Sequence, residues 1–305
     1  MASLLQTYAD LKPLRDPVFI GAFAGRNGGS ASAAVQYLVD QWHGTPVAEI
    51  DTEEAFDFTV RRPNVRLQDG QRVVDWPLNQ FFVVTSGALN HDFILMPGIE
   101  PHLRWPSFAE AISECLTALG CRTAVILGSR SGALPHTRPV PLRLQTTAAA
   151  FATAFGVEPA QMNYEGPTGV TTVIIERLVR AGIVGASLSA MTPFYVTVEP
   201  NANAVIALVQ AIDRAYETHT LLNVLREKAR EVDQTAEDAA AQSAELRSTI
   251  GALEQQYDRA RVGQTPKPGA EPTAADLPSG TEAVAQLEEF LRGLQNPGGG
   301  EGAAR

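Results

Sequence analysis

Along the first 218 residues, short apolar runs alternate with stretches whose apolar positions recur every three or four residues. That alternation predicts strands interleaved with amphipathic helices. Val18 to Phe23 predicts a strand that runs into a glycine-rich loop, Gly25 to Gly29, and then a helix from Ser30 to Trp42 with Ala34, Leu38 and Trp42 on one face. Between Val47 and Thr85 the period shortens, predicting β segments at Ala48–Ile50, Phe56–Val60, Arg72–Val74 and Phe81–Val84. The Asp69-Gly70 pair among them is a hairpin signal. Phe93 to Met96 predicts a buried strand closing at Pro97-Gly98, and Ser107 to Leu119 a helix with Ser107 as N-cap, Glu110 three residues later and Gly120 as terminator. Thr123 to Gly128 is the next strand. Helices are predicted at Gln145–Phe155, Thr171–Ala181 and Ala202–Thr218, with extended segments at Val184–Ala190 and Pro193–Val198. The sum is an α/β domain over residues 1–218: a mixed sheet flanked by helices, with a β-rich edge insertion.

Beyond Thr218 the pattern changes. Leu222, Leu225, Ala229, Val232, Ala236, Ala239, Ser243, Leu246, Ile250, Leu253 and Tyr257 follow at 3-4 spacing, a heptad seam that predicts a helical arm over residues 219–262. Its middle is only Ala and Ser, so one long rod and a pair bent near Ala239 to Ser243 are both open; either must cover a partner surface, in this chain or another. Four prolines make residues 263–280 a linker. Val284, Leu287, Leu291 and Leu294 place a short docking helix within 281–295, and residues 296–305 are expected to be a disordered tail.

Composition narrows the function. Of 305 residues, 45% are hydrophobic, and 24 Lys+Arg against 34 Asp+Glu give a net charge of −10, which excludes generic nucleic-acid binding. No run of 18 apolar residues is present, and Met1 to Asp10 lacks a basic segment followed by an apolar one, so the expectation is a cytoplasmic protein with no membrane partner. Cys115 and Cys121 read as buried structural thiols. Arginine dominates lysine, as in proteins from GC-rich genomes.

The chemistry-bearing residues form no familiar catalytic set. The five histidines, at 43, 91, 102, 136 and 219, lack the spacing of a zinc site, and Gly128-Ser129-Arg130-Ser131-Gly132 puts arginine where a nucleophile elbow needs serine. Dinucleotide and phosphate-loop patterns are absent as well, so no cofactor or metal is expected. The ligand-binding candidates are Arg26, Asn27 and Gly28, which could cradle an anion or simply form a tight turn; Glu100 and Trp105 at a strand end; His136 and Arg138 after another; and Tyr164 and Thr168 in a turn leading into a helix. Glu100 is either a base or the ion-pair partner of Arg104 or Arg138, and Thr168 is a candidate N-cap. All follow predicted strands, which predicts one cleft built from converging loops.

The order of these motifs resembles the PAC2 family, the relatives of proteasome assembly chaperone 2. The resemblance is carried by Gly98-Ile99-Glu100-Pro101 with Trp105, Leu127-Gly128 before His136-Thr137-Arg138-Pro139, and Tyr164 with Gly166-Pro167-Thr168-Gly169. It continues through Ser187-Leu188, Pro193 with Tyr195, and Asn201 to Ala204, and covers nearly all of residues 15–218; Leu277 to Gly280 and the short helix after it are similar to the end of prokaryotic members. Two positions depart from the pattern: Arg26-Asn27-Gly28-Gly29 stands where many members carry Trp-x-Asp-Ala-Gly, and Phe194 stands where relatives have histidine.

The resemblance implies an α/β fold similar to purine nucleoside phosphorylases, with a helical C-terminal addition as in actinobacterial members. It also implies a protein-binding assembly factor without enzymatic chemistry, with proteasome subunits as candidate partners. The heptad arm adds an expectation of homo-oligomers. The competing reading is a small-molecule enzyme or ligand-binding protein, with Arg138 holding an anion and Glu100 or His136 handling a proton.

Overall fold

The computed structural model describes residues 3–8, 10–25, 29–161 and 163–262. The described residues up to Tyr257 form one compact unit. The linker, docking helix and tail expected over 263–305 lie outside the described residues.

The main sheet has eight strands in the order β1-β3-β6-β7-β2-β8-β10-β9. Its centre comprises β2 (Val18–Ala24), β7 (Phe93–Ile99), β8 (Thr123–Gly132) and β10 (Val184–Pro193), all parallel. Antiparallel strands close both edges: β1 (Leu5–Thr7), β3 (Thr45–Ile50) and β6 (Asn79–Val84) on one side, β9 (Leu142–Thr146) on the other. The mixed α/β fold expected from sequence is therefore the fold observed.

Because strand side chains alternate, each central strand feeds two cores. Val18, Ile20, Phe93, Leu95, Val125 and Leu127 face α1 (Ser30–Gln41), α4 (Ala149–Phe155) and α6 (Ala202–Tyr216). Phe19, Ile94, Met96, Ala124 and Ile126 face α3 (Trp105–Ala118) and α5 (Val170–Arg180). Phe19, Phe93 and Phe108 are fully buried; each such side chain contributes about 1.5–3 kcal/mol. Cys115 and Cys121 sit in the second core, and burial pushes their thiols up to about 12 and about 11, values that make them inert.

β4 (Asn64–Gln68) and β5 (Gln71–Asp75) form a separate two-stranded ribbon. Its turn is the predicted Asp69-Gly70, with both residues at positive φ, 51° and 77°, the geometry of the tight hairpin turn. Val65 pairs with Val74 and Leu67 with Arg72, so Val65, Leu67, Val74 and Trp76 share one face, at 63%, 74%, 43% and 49% exposure.

Several predicted elements differ. Phe56–Val60 is not a strand: Asp51 accepts a hydrogen bond from Glu53 N and starts the short helix α2 (Thr52–Ala55), after which Asp57 turns the chain by accepting from the backbone and hydroxyl of Thr59. Helix α3 starts at Trp105 instead of Ser107, with Arg104 in the left-handed conformation and Pro106 in the first turn. Strand pairing carries β7 through Pro97-Gly98 to Ile99, and β8 through Gly128 to Gly132. The helix expected from Gln145 is preceded by β9, since Leu144 is buried against Leu188 while its neighbours face outward. The segment after Pro193 turns instead of extending to Val198.

The arm is two helices, α7 (Asn223–Gln242) and α8 (Ala244–Val262). Ser243 breaks them: its backbone is extended, and its hydroxyl accepts from Leu246 N, capping α8. The α7 seam is buried on this same chain, with Leu222 and Leu225 joining the first core and Ala229 and Val232 packing on Ala202. Ala240 is buried and Ala239 exposed, contrary to the heptad register. The stripe 225, 229, 232, 236, 240 follows the 3.6-residue period of a straight helix on a flat surface, not the 3.5 of a supercoil.

Candidate functional site

The strongest local construction lies at the carboxyl ends of β2 and β7. β2 is followed by α1 on one face of the sheet, and β7 by α3 on the other. Loops leaving neighbouring parallel strands toward opposite faces open a crevice between them. Asn79, fully buried on β6, fixes the end of β7: its amide N–H donates to Ile99 O at 3.1 Å and its carbonyl oxygen accepts from Ile99 N at 2.6 Å. The Ser32 hydroxyl of α1 donates to Gly98 O at 2.7 Å, and Glu100 N donates to Ala24 O at 2.9 Å. These bonds deliver Glu100 and Trp105 to a cleft of about 420 Å³ lined also by Gly25, Val60, Arg61, Pro101 and His102.

The polar groups of this cleft divide into occupied and available. Trp105 Nε1 donates to Pro101 O at 2.7 Å, which holds the indole as a wall. His102 Nδ1 accepts from Asp57 N at 3.2 Å, fixing the tautomer with the proton on Nε2. Arg61 Nη1 donates to Gly25 O at 3.2 Å. The hydrogen bonds from Thr59 hold the Asp57 carboxyl below its usual range, a shift of the local turn on an exposed side chain. Arg104 pairs with Glu54 and Arg138 with Glu254, so neither ion pair expected for Glu100 forms. Among the described residues, the Glu100 carboxylate has no hydrogen-bond or ion-pair partner.

His136 and Arg138 lie elsewhere, on the loop after β8, and the arm closes over them. The His136 backbone N–H donates to Tyr195 Oη at 2.8 Å, and the same oxygen stands 2.8 Å from Nδ1. The consistent assignment has the phenol donating to Nδ1 and Nε2–H donating to Glu237 Oε1 of α7, at 3.2 Å. Glu254 of α8 accepts from Arg138 Nη1 at 3.2 Å and from the Thr137 hydroxyl, while Tyr257 Oη donates to Pro139 O at 2.9 Å. Burial pushes the Tyr195 phenol up, and the charges of Glu254 and Glu237 push the same way against the His136 N–H. The space left here is about 10 Å³, against about 420 Å³ at the first cleft.

The single cleft predicted from converging loops is thus two places that share no lining residue. Tyr164 is 74% exposed and bonds only locally, Oη to Pro167 O at 3.0 Å. Thr168 is not the N-cap of α5: Gly169 holds that position, and the Thr168 hydroxyl donates to Thr172 Oγ1 at 2.7 Å. Only the Gly169 end of that turn reaches the first cleft, where a Cβ would lie 3.9 Å from Glu100 Oε1. Arg26, Asn27 and Gly28 lie outside the described residues. Arg61 and His102 line the cleft without having been singled out; His102 alone carried a signal, two residues past Glu100. Among the described residues no His, Cys, Asp and Glu group could hold a metal, and no helix is long and apolar enough to cross a membrane.

The chain matches the model of the PAC2 family over residues 27–240. A PAC2 family protein from Streptomyces avermitilis is 36% identical, with a TM-score of 0.69, 77% of this chain covered and 100% of that one. A proteasome-assembly chaperone homologue from Mycobacterium tuberculosis is 33% identical, with a TM-score of 0.67 and coverage of 76% and 99%. A protein of unknown function from Corynebacterium glutamicum shares the fold at 22% identity, with a TM-score of 0.75, 85% of this chain covered and 98% of that one. No curated protein matches. The chain belongs to the PAC2 family.

Proposed function

We propose that this PAC2 family chain works by binding protein subunits during their assembly, with proteasome subunits as its partners, and that it does so without chemistry of its own. The observation that carries the reading is the 33% identity to the mycobacterial proteasome-assembly chaperone homologue over almost its entire length. The molecule offers a surface suited to that work. The β4–β5 ribbon stands apart from the main sheet with Val65, Leu67, Val74 and Trp76 exposed on one face, and contiguous exposed apolar side chains of this kind mark protein-binding sites. Residues 60–76 hold Arg61, Arg62, Arg66 and Arg72 against Asp69 and Asp75, a basic island in a chain of net charge −10. That island favours an acidic partner surface.

The α7 seam is taken up by its own chain, so the reading places partner contact on the ribbon. Self-association through the same apolar face and a cytoplasmic location belong to this proposal. The test is co-expression with the proteasome α-subunits of the same cell, followed by native mass spectrometry. A stoichiometric complex that is lost in Leu67→Asp, a substitution at a largely exposed position that leaves thermal stability unchanged, is the expected result. Failure of the unsubstituted chain to form any complex would overturn the reading. Light scattering of the purified chain reports self-association separately.

A further inference from the structure

We propose that the cleft at the carboxyl ends of β2 and β7 binds a small zwitterion of the α-amino-acid class, with Glu100 taking its ammonium group and Arg61 its carboxylate. The inference is independent of the protein-binding reading and rests on four features of the cleft.

The first is position. The crevice where neighbouring parallel strands send their connections to opposite faces is where open α/β sheets bind ligands, and Gly25 and Glu100 are the residues that follow those two strands. The second is capacity: about 420 Å³ suits a small molecule and is far more than a lone ion requires.

The third feature is the charge arrangement. A carboxylate and a guanidinium line the same cavity, yet form no ion pair with each other, and among the described residues neither pairs with another charged side chain. Arg61 spends one N–H on Gly25 O and keeps the rest of its fork. Both side chains are half-buried, where charges are screened less than at an open surface. A ligand of one sign, such as phosphate or a polyamine, would satisfy one group and leave the other partly desolvated without a partner. A zwitterion completes both.

The fourth feature is the remainder of the lining. Trp105 has its only donor occupied by Pro101 O and presents ring surface, and Val60 and Pro101 are apolar. His102 has Nδ1 occupied, leaving Nε2–H as a donor for a ligand oxygen. This wall fits an apolar or aromatic amino-acid side chain more than a charged one.

The test is isothermal titration of the full chain with each free L-amino acid, and with the N-acetyl and C-amide form of any that binds. The expected result is binding of at least one apolar or aromatic amino acid, weakened about tenfold or more by blocking either end, because each end forms a charge-assisted hydrogen bond. Glu100→Gln should imitate the loss seen with the acetylated ligand, and Arg61→Gln the loss seen with the amide, with thermal stability unchanged in both. Absence of binding by every amino acid at millimolar concentration would overturn the proposal. So would equal binding of the blocked forms, or binding that survives both substitutions. Complex formation with proteasome α-subunits is a separate readout, so the two readings fail separately.

Discussion

The loop after β7 and the loop after β8 both leave the parallel centre of the sheet at its carboxyl end, and both carry polar residues beside an aromatic wall. After β8, His136 is held by Tyr195 and Glu237, and Arg138 by Glu254. After β7, Glu100 stands on a cleft with Arg61, His102 and Trp105 and keeps its carboxylate unspent. The difference is made by the arm: α7 and α8 bring two carboxylates onto the loop after β8 and none onto the loop after β7. Residue type at a strand end therefore does not distinguish a binding group from a structural one; what the rest of the chain has placed against it does.

That contrast can be broken most forcefully at the seam that holds the arm. Val232 is buried between Ala229 and Ala202, and Val232→Asp would set an unpaired carboxylate there at a cost of about 2–4 kcal/mol. Hydrogen exchange should then lose protection across residues 223–257, and the His136 loop should become as open as the Glu100 cleft. Retained protection would mean that the seam does not hold the arm.

A smaller effect is expected at the base of the open cleft. A Cβ at Gly98 would lie 2.8 Å from Ala22 O and 2.9 Å from both Asn79 Oδ1 and Phe23 Cδ1, so Gly98→Ala should cost about 1–3 kcal/mol by overpacking and displace Asn79 from Ile99. Urea unfolding reads the first consequence, and an unchanged midpoint would refute the tight fit.

The smallest effect belongs to charge alone. Arg138 and Glu254 are about one-third exposed, 31% and 29%, so a double-mutant cycle between Glu254→Gln and Arg138→Gln should give roughly 0.2–1 kcal/mol, falling with added salt. A coupling that salt does not reduce would show a pair more buried than described.

How far these regions were legible from sequence follows from the range of the forces involved. β2, β7 and β8 announce themselves as continuous apolar runs because both faces of a central parallel strand are covered. Asp69-Gly70 announces its turn because few pairs tolerate two positive φ values. Glu100 and Trp105 could be placed at a strand end for the same local reason. Arg61 and His102 could not be joined to them in advance, since the loop bearing Arg61 arrives through α2 and is held by bonds from His102 and Leu103 N to Ala55 O. The closing of His136 and Arg138 depends on a helix break at Ser243, where a local cap overrode an otherwise unbroken helical pattern. The Ala239 register failed for a related reason: a heptad count presumes a second helix as partner, and α7 found the body of its own chain.

The placement of β2 at the middle of the sheet also sets a timetable for synthesis. Val18 pairs on one side with Phe93 and on the other with Thr123, and the strand beyond that, β10, begins only at Val184. During translation at about 5–20 residues per second, β2 waits on the order of ten seconds for its second neighbour. Pairings this distant along the chain fold slowly. The nascent chain therefore holds a strand that ends up almost wholly buried without its second neighbour while the intervening residues are made.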